Sequence, residues 1–230
     1  MQLTRIPGLA AALVVGLAAG QAHAIVIGTP GTGQTVGFPF GANPGGRYQQ
    51  VYGSDLFTQG SIRITGLSFF ASSSPTAPLA SGNYTLSLST TTRGIDGLED
   101  LLNTNVNATD TQVFNFNVGA NSTTVFNGAL PAVSAGRLSF ALTTPFIYNP
   151  NVGNLLLDVQ SPSSAGPVVF LDFETNPAVS ISRLFVVGGG ITSQPNGLVT
   201  DIIGVPEPAS VALLGMGLLG MAGLRRRRVA

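Results

Sequence analysis

Carboxylates and arginines carry almost all of the ionisable chemistry open to this 230-residue chain. Its one histidine, His23, lies near the N-terminus, and lysine, cysteine and tryptophan are absent. Beyond residue 24 there is no imidazole, thiol or amine side chain. That excludes Ser-His-Asp and Cys-His nucleophile systems, imidazole or thiolate metal sites and lysine Schiff bases, and no cofactor is expected. Two acid pairs remain, and paired carboxylates hydrolyse glycosides when held about 5–9 Å apart. Glu99 and Asp100 are adjacent on a short predicted helix, so they point to different faces and read as solvated surface. Asp172 and Glu174 lie two apart on a predicted strand and share a face, with Phe170, Leu171 and Phe173 around them. They read as a polar outer face, with a Ca²⁺ site as the alternative, because that ion prefers oxygen ligands. Tyr48, Tyr52, Tyr84 and Tyr148 offer rings for stacking on sugars, although core packing is the simpler assignment. The Asn-x-Thr triplets at Asn83, Asn107 and Asn121 match glycosylation acceptors but read as turn asparagines ahead of strand threonines.

The elements that must position these residues are short strands. Gly, Ser, Thr, Asn and Val dominate the middle of the chain, the composition of strands joined by turns. Alternation in period two predicts strands at Ile62–Phe69, at Tyr84–Ser89 with Tyr84, Leu86 and Leu88 on one face, and at Val113–Val118. Further candidates are 49–57, 123–126, 138–142, 155–159, 168–173 and 184–187. Leu155, Leu156 and Leu157 in succession predict a central strand that is apolar on both faces. Asp96-Gly97-Leu98-Glu99 has capping-box spacing ahead of Leu101 and Leu102, which predicts a helix of one or two turns. Regular short strands with turn residues between them predict an all-β fold, an antiparallel β-sandwich of jelly-roll-like type. The ends divide the chain into 1–24, a domain at 25–204, and a tail at 205–230.

The mean hydropathy is positive and charged residues make up only 9% of the chain, but the apolar residues are unevenly spread, and the two longest apolar, charge-free runs lie at the ends. Residues 25–204 hold five arginines and nine acids, a formal charge of −4. Nucleic acid is gripped by neutralising phosphates, so a mildly acidic domain argues against it as a partner. Without disulfides, core packing must carry the stability, and a domain of this length buries roughly 70% of its unfolded surface.

Met1 to Ala24 has the three parts of a secretory leader: Arg5, an uncharged run from Leu9 to Ala19, and the small-x-small signature Ala22-His23-Ala24. The run is too short to span a bilayer. Cleavage by signal peptidase is expected between Ala24 and Ile25. At the other end stand Val205, Pro206, Glu207 and Pro208, then an apolar stretch from Ala209 to Leu224, then Arg225, Arg226, Arg227 and Arg228. The prolines favour extended backbone and display Glu207 on a stiff peptide. Ala209–Leu224 as a helix would be about 24 Å long, short of a roughly 30 Å hydrocarbon core. Snorkelling arginines and local thinning cover the difference. The four arginines should stay cytoplasmic by the positive-inside rule, so the domain is expected outside, held by a C-terminal transmembrane helix.

The order V-P-E-P, short apolar helix, Arg cluster resembles the PEP-CTERM sorting signal, over Val205 to about Arg228. The resemblance implies recognition and removal of the tail by a membrane-embedded exosortase, in a layout like that of the LPXTG signal. Pro206, Glu207 and Pro208 match the recognition tripeptide, and Arg225–Arg228 match the basic stop. The middle of the chain resembles the extracellular β-sandwich domains found ahead of this tail. That likeness lies in residues 47–52, 82–91, 144–150 and 153–159, and it implies a fold with no established activity.

The expectation is therefore a non-enzymatic exported protein, anchored in the inner membrane with its domain in the periplasm. After processing it reaches the cell surface or matrix, associated with exopolysaccharide or biofilm. Its partners would be signal peptidase, an exosortase, the membrane and exopolysaccharide. A lectin-like carbohydrate-binding module is the alternative, and a carboxylate-dependent glycoside hydrolase ranks third.

Overall fold

A computed structural model describes residues 22–41, 46–73, 82–98, 110–162, 167–187 and 190–207. Among them the order is β1 (His23–Ile27), β2 (Thr35–Val36), β3 (Arg47–Tyr52), a 3-10 turn at Ser54–Leu56, β4 (Ile62–Phe70) and β5 (Tyr84–Thr91). Then come α1 (Asp110–Asn117), β6 (Thr123–Gly128), β7 (Arg137–Tyr148), β8 (Asn154–Gln160) and β9 (Leu171–Glu174). The series closes with β10 (Ile181–Val187), β11 (Gly190–Gln194), β12 (Gly197–Leu198) and β13 (Thr200–Pro206).

The fold is all-β and its strand pairs are antiparallel. One sheet has the order β1-β13-β4-β7, a second β11-β10-β3-β8-β5-β6, and a small third β12-β9-β2. Alternation places one face of each larger sheet against a shared core. Ile62, Ile64, Leu67 and Phe69 of β4 meet Tyr48, Tyr52, Leu86, Leu88, Leu155 and Leu157 of the second sheet there. Phe40 sits among Phe69, Tyr84 and Phe140 with ring centroids 5.2–5.6 Å apart, in tilted geometries that suit the ring quadrupoles.

The three leucines divide as their alternation requires. Leu155 and Leu157 enter the main core, whereas Leu156 faces out and joins Val51, Leu98, Val113, Phe114 and Leu184 in a second cluster. This second cluster explains one departure from the sequence pattern. Residues 113–117 were predicted as strand and are the end of α1. The outer face of the six-stranded sheet needs a cover, and a helix presents the adjacent Val113 and Phe114 together, with Asn117 one turn on. A strand would point those neighbours to opposite faces. Phe116, which alternates with Phe114, is accordingly left 58% exposed.

Polar groups tie the helix down beneath that cluster. Gln49 Nε2 donates to the Phe114 carbonyl (2.9 Å), and Gln49 Oε1 accepts from Asn117 Nδ2 (2.8 Å). Arg47 Nε donates to Asp158 Oδ1 (2.9 Å), while its Nη1 reaches Asn115 Oδ1 (2.9 Å). The buried amide and carboxylate therefore keep partners after losing water, which avoids the desolvation penalty of an orphaned group.

The predicted helix at Asp96–Leu102 is not present in its described part. Asp96 has φ 59°, and Gly97 donates to the Gly94 carbonyl in a tight turn. Left-handed backbone at Asp96 cannot begin a right-handed helix. Glu99 to Leu102 lie outside the described residues, as do Asn107 and the leader up to Gln21. Strands β1, β2, β11, β12 and β13 were not anticipated.

Candidate functional site

The strand that leads into the V-P-E-P sequence is held more thoroughly than its composition suggests. β13 lies between β1 and β4 and presents Ile202 to the core. Gln50 of β3 substitutes for a neighbouring strand just before it. Its Oε1 accepts the Leu198 N–H (2.7 Å), its Nε2 donates to the Leu198 carbonyl (3.0 Å), and Tyr48 donates its hydroxyl to the same Oε1. So close an approach requires Gly197, where a Cβ would stand 2.8 Å from the Gln50 amide. Two residues further along each strand, the Tyr52 and Thr200 hydroxyls hydrogen-bond at 2.9 Å. Tyr48, Gln50 and Tyr52 alternate along β3 and so form a row of polar tips on an otherwise apolar face. Burial pushes the Tyr48 phenol up to about 12, and burial likewise raises Tyr52. Beside them the buried Arg183 guanidinium faces the rings of Phe38, Phe173 and Phe185 at 5.0–5.3 Å and donates through Nε to Gln194 Oε1 (3.1 Å). Desolvation lowers its pKa. On the opposite face of β13, buried Asp201 pairs with Arg137, whose guanidinium lies 4.2 Å above the Phe70 ring.

Val205 and Pro206 belong to β13, in register with Arg63 and Ile62 of β4. Glu207 is exposed and donates its backbone N–H to the Ser61 carbonyl at 3.1 Å. The register slips between Ile203 and Gly204, so the final residues form a separate stretch of pairing. Pro206 fits there because it closes the strand where β1 has already ended, and a missing amide leaves no gap in a ladder on that side. Pro208, Ala209–Leu224 and Arg225–Arg228 lie outside the described residues. Among the described residues no helix is long and apolar enough to cross a membrane.

The expected leader cleavage site lies on the neighbouring strand. Ala22 and Ala24 are exposed, and Ile25 is half-buried against the core. His23 is opposite Gly204, Ala24 opposite Ile203, and Ile25 opposite Ile202. Both sequence signals thus sit at the same end of two adjacent strands.

Asp172 and Glu174 are not a solvated outer face. Both are buried, and they clamp the loop that follows β1. Asp172 Oδ2 accepts the Gly31 N–H (2.8 Å), Glu174 Oε2 the Thr29 N–H (2.9 Å), and Glu174 Oε1 the Asn176 N–H (2.7 Å). Loop amides, which no residue pattern within β9 reveals, supply what water would otherwise provide. The two acids face a loop and not each other across a cleft. No cluster of three or more metal-ligating side chains occurs among the described residues. All four tyrosines are buried, which removes them as stacking platforms. Their hydroxyls are used internally, Tyr84 accepting from the Gly41 N–H (3.0 Å) and Tyr148 donating to the Gly153 carbonyl (2.8 Å).

An open cleft of about 490 Å³ lies at the C-terminal end of α1, between Thr90–Thr92, Phe116–Asn121 and Val152. Phe116 and Val152 give it an exposed apolar floor, and Thr92 lies exposed on its rim. Sequence reading missed it because it assigned Phe116 to a strand.

Comparison with protein families places one match on the chain: residues 204–228 match the PEP-CTERM protein-sorting motif. The match begins inside β13 and includes every residue of the tripeptide and of the arginine cluster. No curated protein and no solved structure is significantly similar to the chain.

Proposed function

Because this chain carries the PEP-CTERM protein-sorting motif, we propose that it is a non-enzymatic exported protein whose C-terminal tail is processed by an exosortase. The motif itself implies export, membrane association through the tail, and exosortase processing. The finer reading is that signal peptidase removes residues 1–24 and that Ala209–Leu224 spans the inner membrane with Arg225–Arg228 inside. The domain, which we read as a jelly-roll-like sandwich, is released to the cell surface or matrix among exopolysaccharide. The supporting observation is the motif at 204–228, joined to a domain whose buried acids and tyrosines are engaged in holding its own loops and strands. Expression with Pro206-Glu207-Pro208 intact and replaced by alanines tests it. The intact chain should shorten and leave the membrane fraction, and the replaced chain should stay full-length and membrane-bound. Identical size and retention for both would overturn the reading.

Carbohydrate binding is a second reading, favoured by the cleft at Phe116. An exposed ring beside hydroxyl and amide groups is a chemical match for a pyranose. Binding to a polysaccharide array that Phe116→Ala abolishes would support it, and absence of binding by the unmodified chain would remove it.

A further inference from the structure

Enzymes that act on a peptide segment take it in extended form and use its backbone groups for recognition. In this chain those groups are already in use. Val205 and Pro206 are paired with Arg63 and Ile62, and the Glu207 N–H is bonded to the Ser61 carbonyl. β4 and a processing enzyme therefore compete for the same three residues. We propose that Ser61 and the start of β4, Ile62 and Arg63, clasp the sorting motif, and that peeling of Val205–Glu207 from them gates exosortase processing. The inference rests on the processing role given above and adds a regulation to it.

Three observations locate the peeling point. The register slip between Ile203 and Gly204 breaks the ladder just before the motif. Val205 and Pro206 are only half-buried and Glu207 is exposed, so little buried apolar surface holds this stretch in place. A cut after Ala24 also removes His23 and Ala24, the partners of Gly204 and Ile203. In the mature chain the last residues of β13 are then held from the β4 side alone. Upstream, Ile202 is buried in the core and Thr200 is bonded to Tyr52, so opening stops before the body of the strand. Terminal stretches with few buried contacts open at low free energy, whereas core strands open only with the whole domain.

The absence of cysteine allows a reversible lock. Arg63 and Val205 are directly opposite, where antiparallel Cα atoms stand about 4.5–5.5 Å apart, within the span of a disulfide. The full-length chain carrying R63C and V205C is presented to membranes containing an exosortase, oxidised or reduced, with each single variant as control. Cleavage is read by size on reducing gels after thiols are blocked. The oxidised double variant should be processed roughly ten-fold or more slowly than the controls, and reduction should restore it. A second full-length chain with Gly-Ser-Gly inserted between Gly204 and Val205 removes the clasp without a new bond, and it should be processed faster than the unmodified chain. Equal rates for the oxidised and reduced forms, or no gain from the insertion, would overturn the gate while leaving processing intact. Failure of the unmodified chain and both single variants to be cut at all would overturn the sorting role and the gate with it.

Discussion

β1 and β13 lie side by side in one sheet and carry the two sequence signals, yet the fold treats them differently. β1 is an edge strand with Val26 47% exposed, and a cut after Ala24 would leave it three of its five pairs. β13 is flanked on both sides, contributes Ile202 to the core, is held at Thr200 by Tyr52, and is preceded by a segment fixed through Gln50. An edge strand tolerates loss of its first residues because few buried groups depend on them. An inner strand resists such loss, so its end is exposed to enzymes only beyond the last well-packed residue. The difference shows that position in the sheet, more than sequence at the signal, determines how accessible each signal is.

That contrast can be broken most severely at Gln50. Gln50→Ala takes the acceptor from the buried Leu198 N–H and Tyr48 hydroxyl, while the Leu198 carbonyl keeps the Thr200 hydroxyl, and should cost about 3–5 kcal/mol. Urea unfolding monitored by circular dichroism would show it, and a loss under about 1 kcal/mol would mean that β13 is anchored elsewhere.

Alkaline titration should have an effect comparable to that of a core truncation. Tyr48 has a pKa of about 12 in the fold against 10.0 unperturbed, so the unfolded chain loses the phenolic proton first as pH rises. Stability from its burial is complete below about pH 10 and disappears as pH climbs toward 12, a change on the order of 2–3 kcal/mol. Phenolate absorbance should stay low through pH 10 and then rise together with unfolding. A separate rise centred near pH 10 in folded protein would contradict this.

Paired substitutions sharpen the comparison and end on its smallest effect. Ile202→Ala in β13 should destabilise by about 2–4 kcal/mol, and Val26→Thr in β1 by less than about 0.5 kcal/mol. Similar costs for the two, measured by the same urea melts, would dissolve the distinction between inner and edge strand.

How much of this was legible depended on where each residue's partners lie. β5, with clean alternation of Tyr84, Leu86 and Leu88, the two alternating halves of β4 on either side of its irregularity at Gly66, and the two-faced leucine run of β8 could be read directly because pattern and burial agree locally. β13 was missed, since Asp201, Gly204 and Pro206 interrupt its apolar run and its neighbours, β1 and β4, are far away in sequence. Its β-branched content, Thr200, Ile202, Ile203 and Val205, was the signal available. α1 was misread because the feature that selects helix, an uncovered sheet face bearing Val51, Leu156 and Leu184, belongs to other segments. The roles of Asp172 and Glu174 depend on the amides of residues 29, 31 and 176, which spacing within a strand cannot reveal. The V-P-E-P sequence itself was readable, but its attachment to β4 was not.

The pairing of His23 with Gly204 and of Ile27 with Thr200 has a further meaning for secretion. Among the described residues β1 pairs with β13 alone, almost a whole domain later in the chain. A polypeptide threaded across a membrane from its N-terminal end cannot zip up this sheet until β13 has followed. Translocation machinery needs a chain that is still loose, and long loop closures are slow to form. The order of the strands keeps the protein unfinished on the side where it is made and lets it be completed on the side where it arrives.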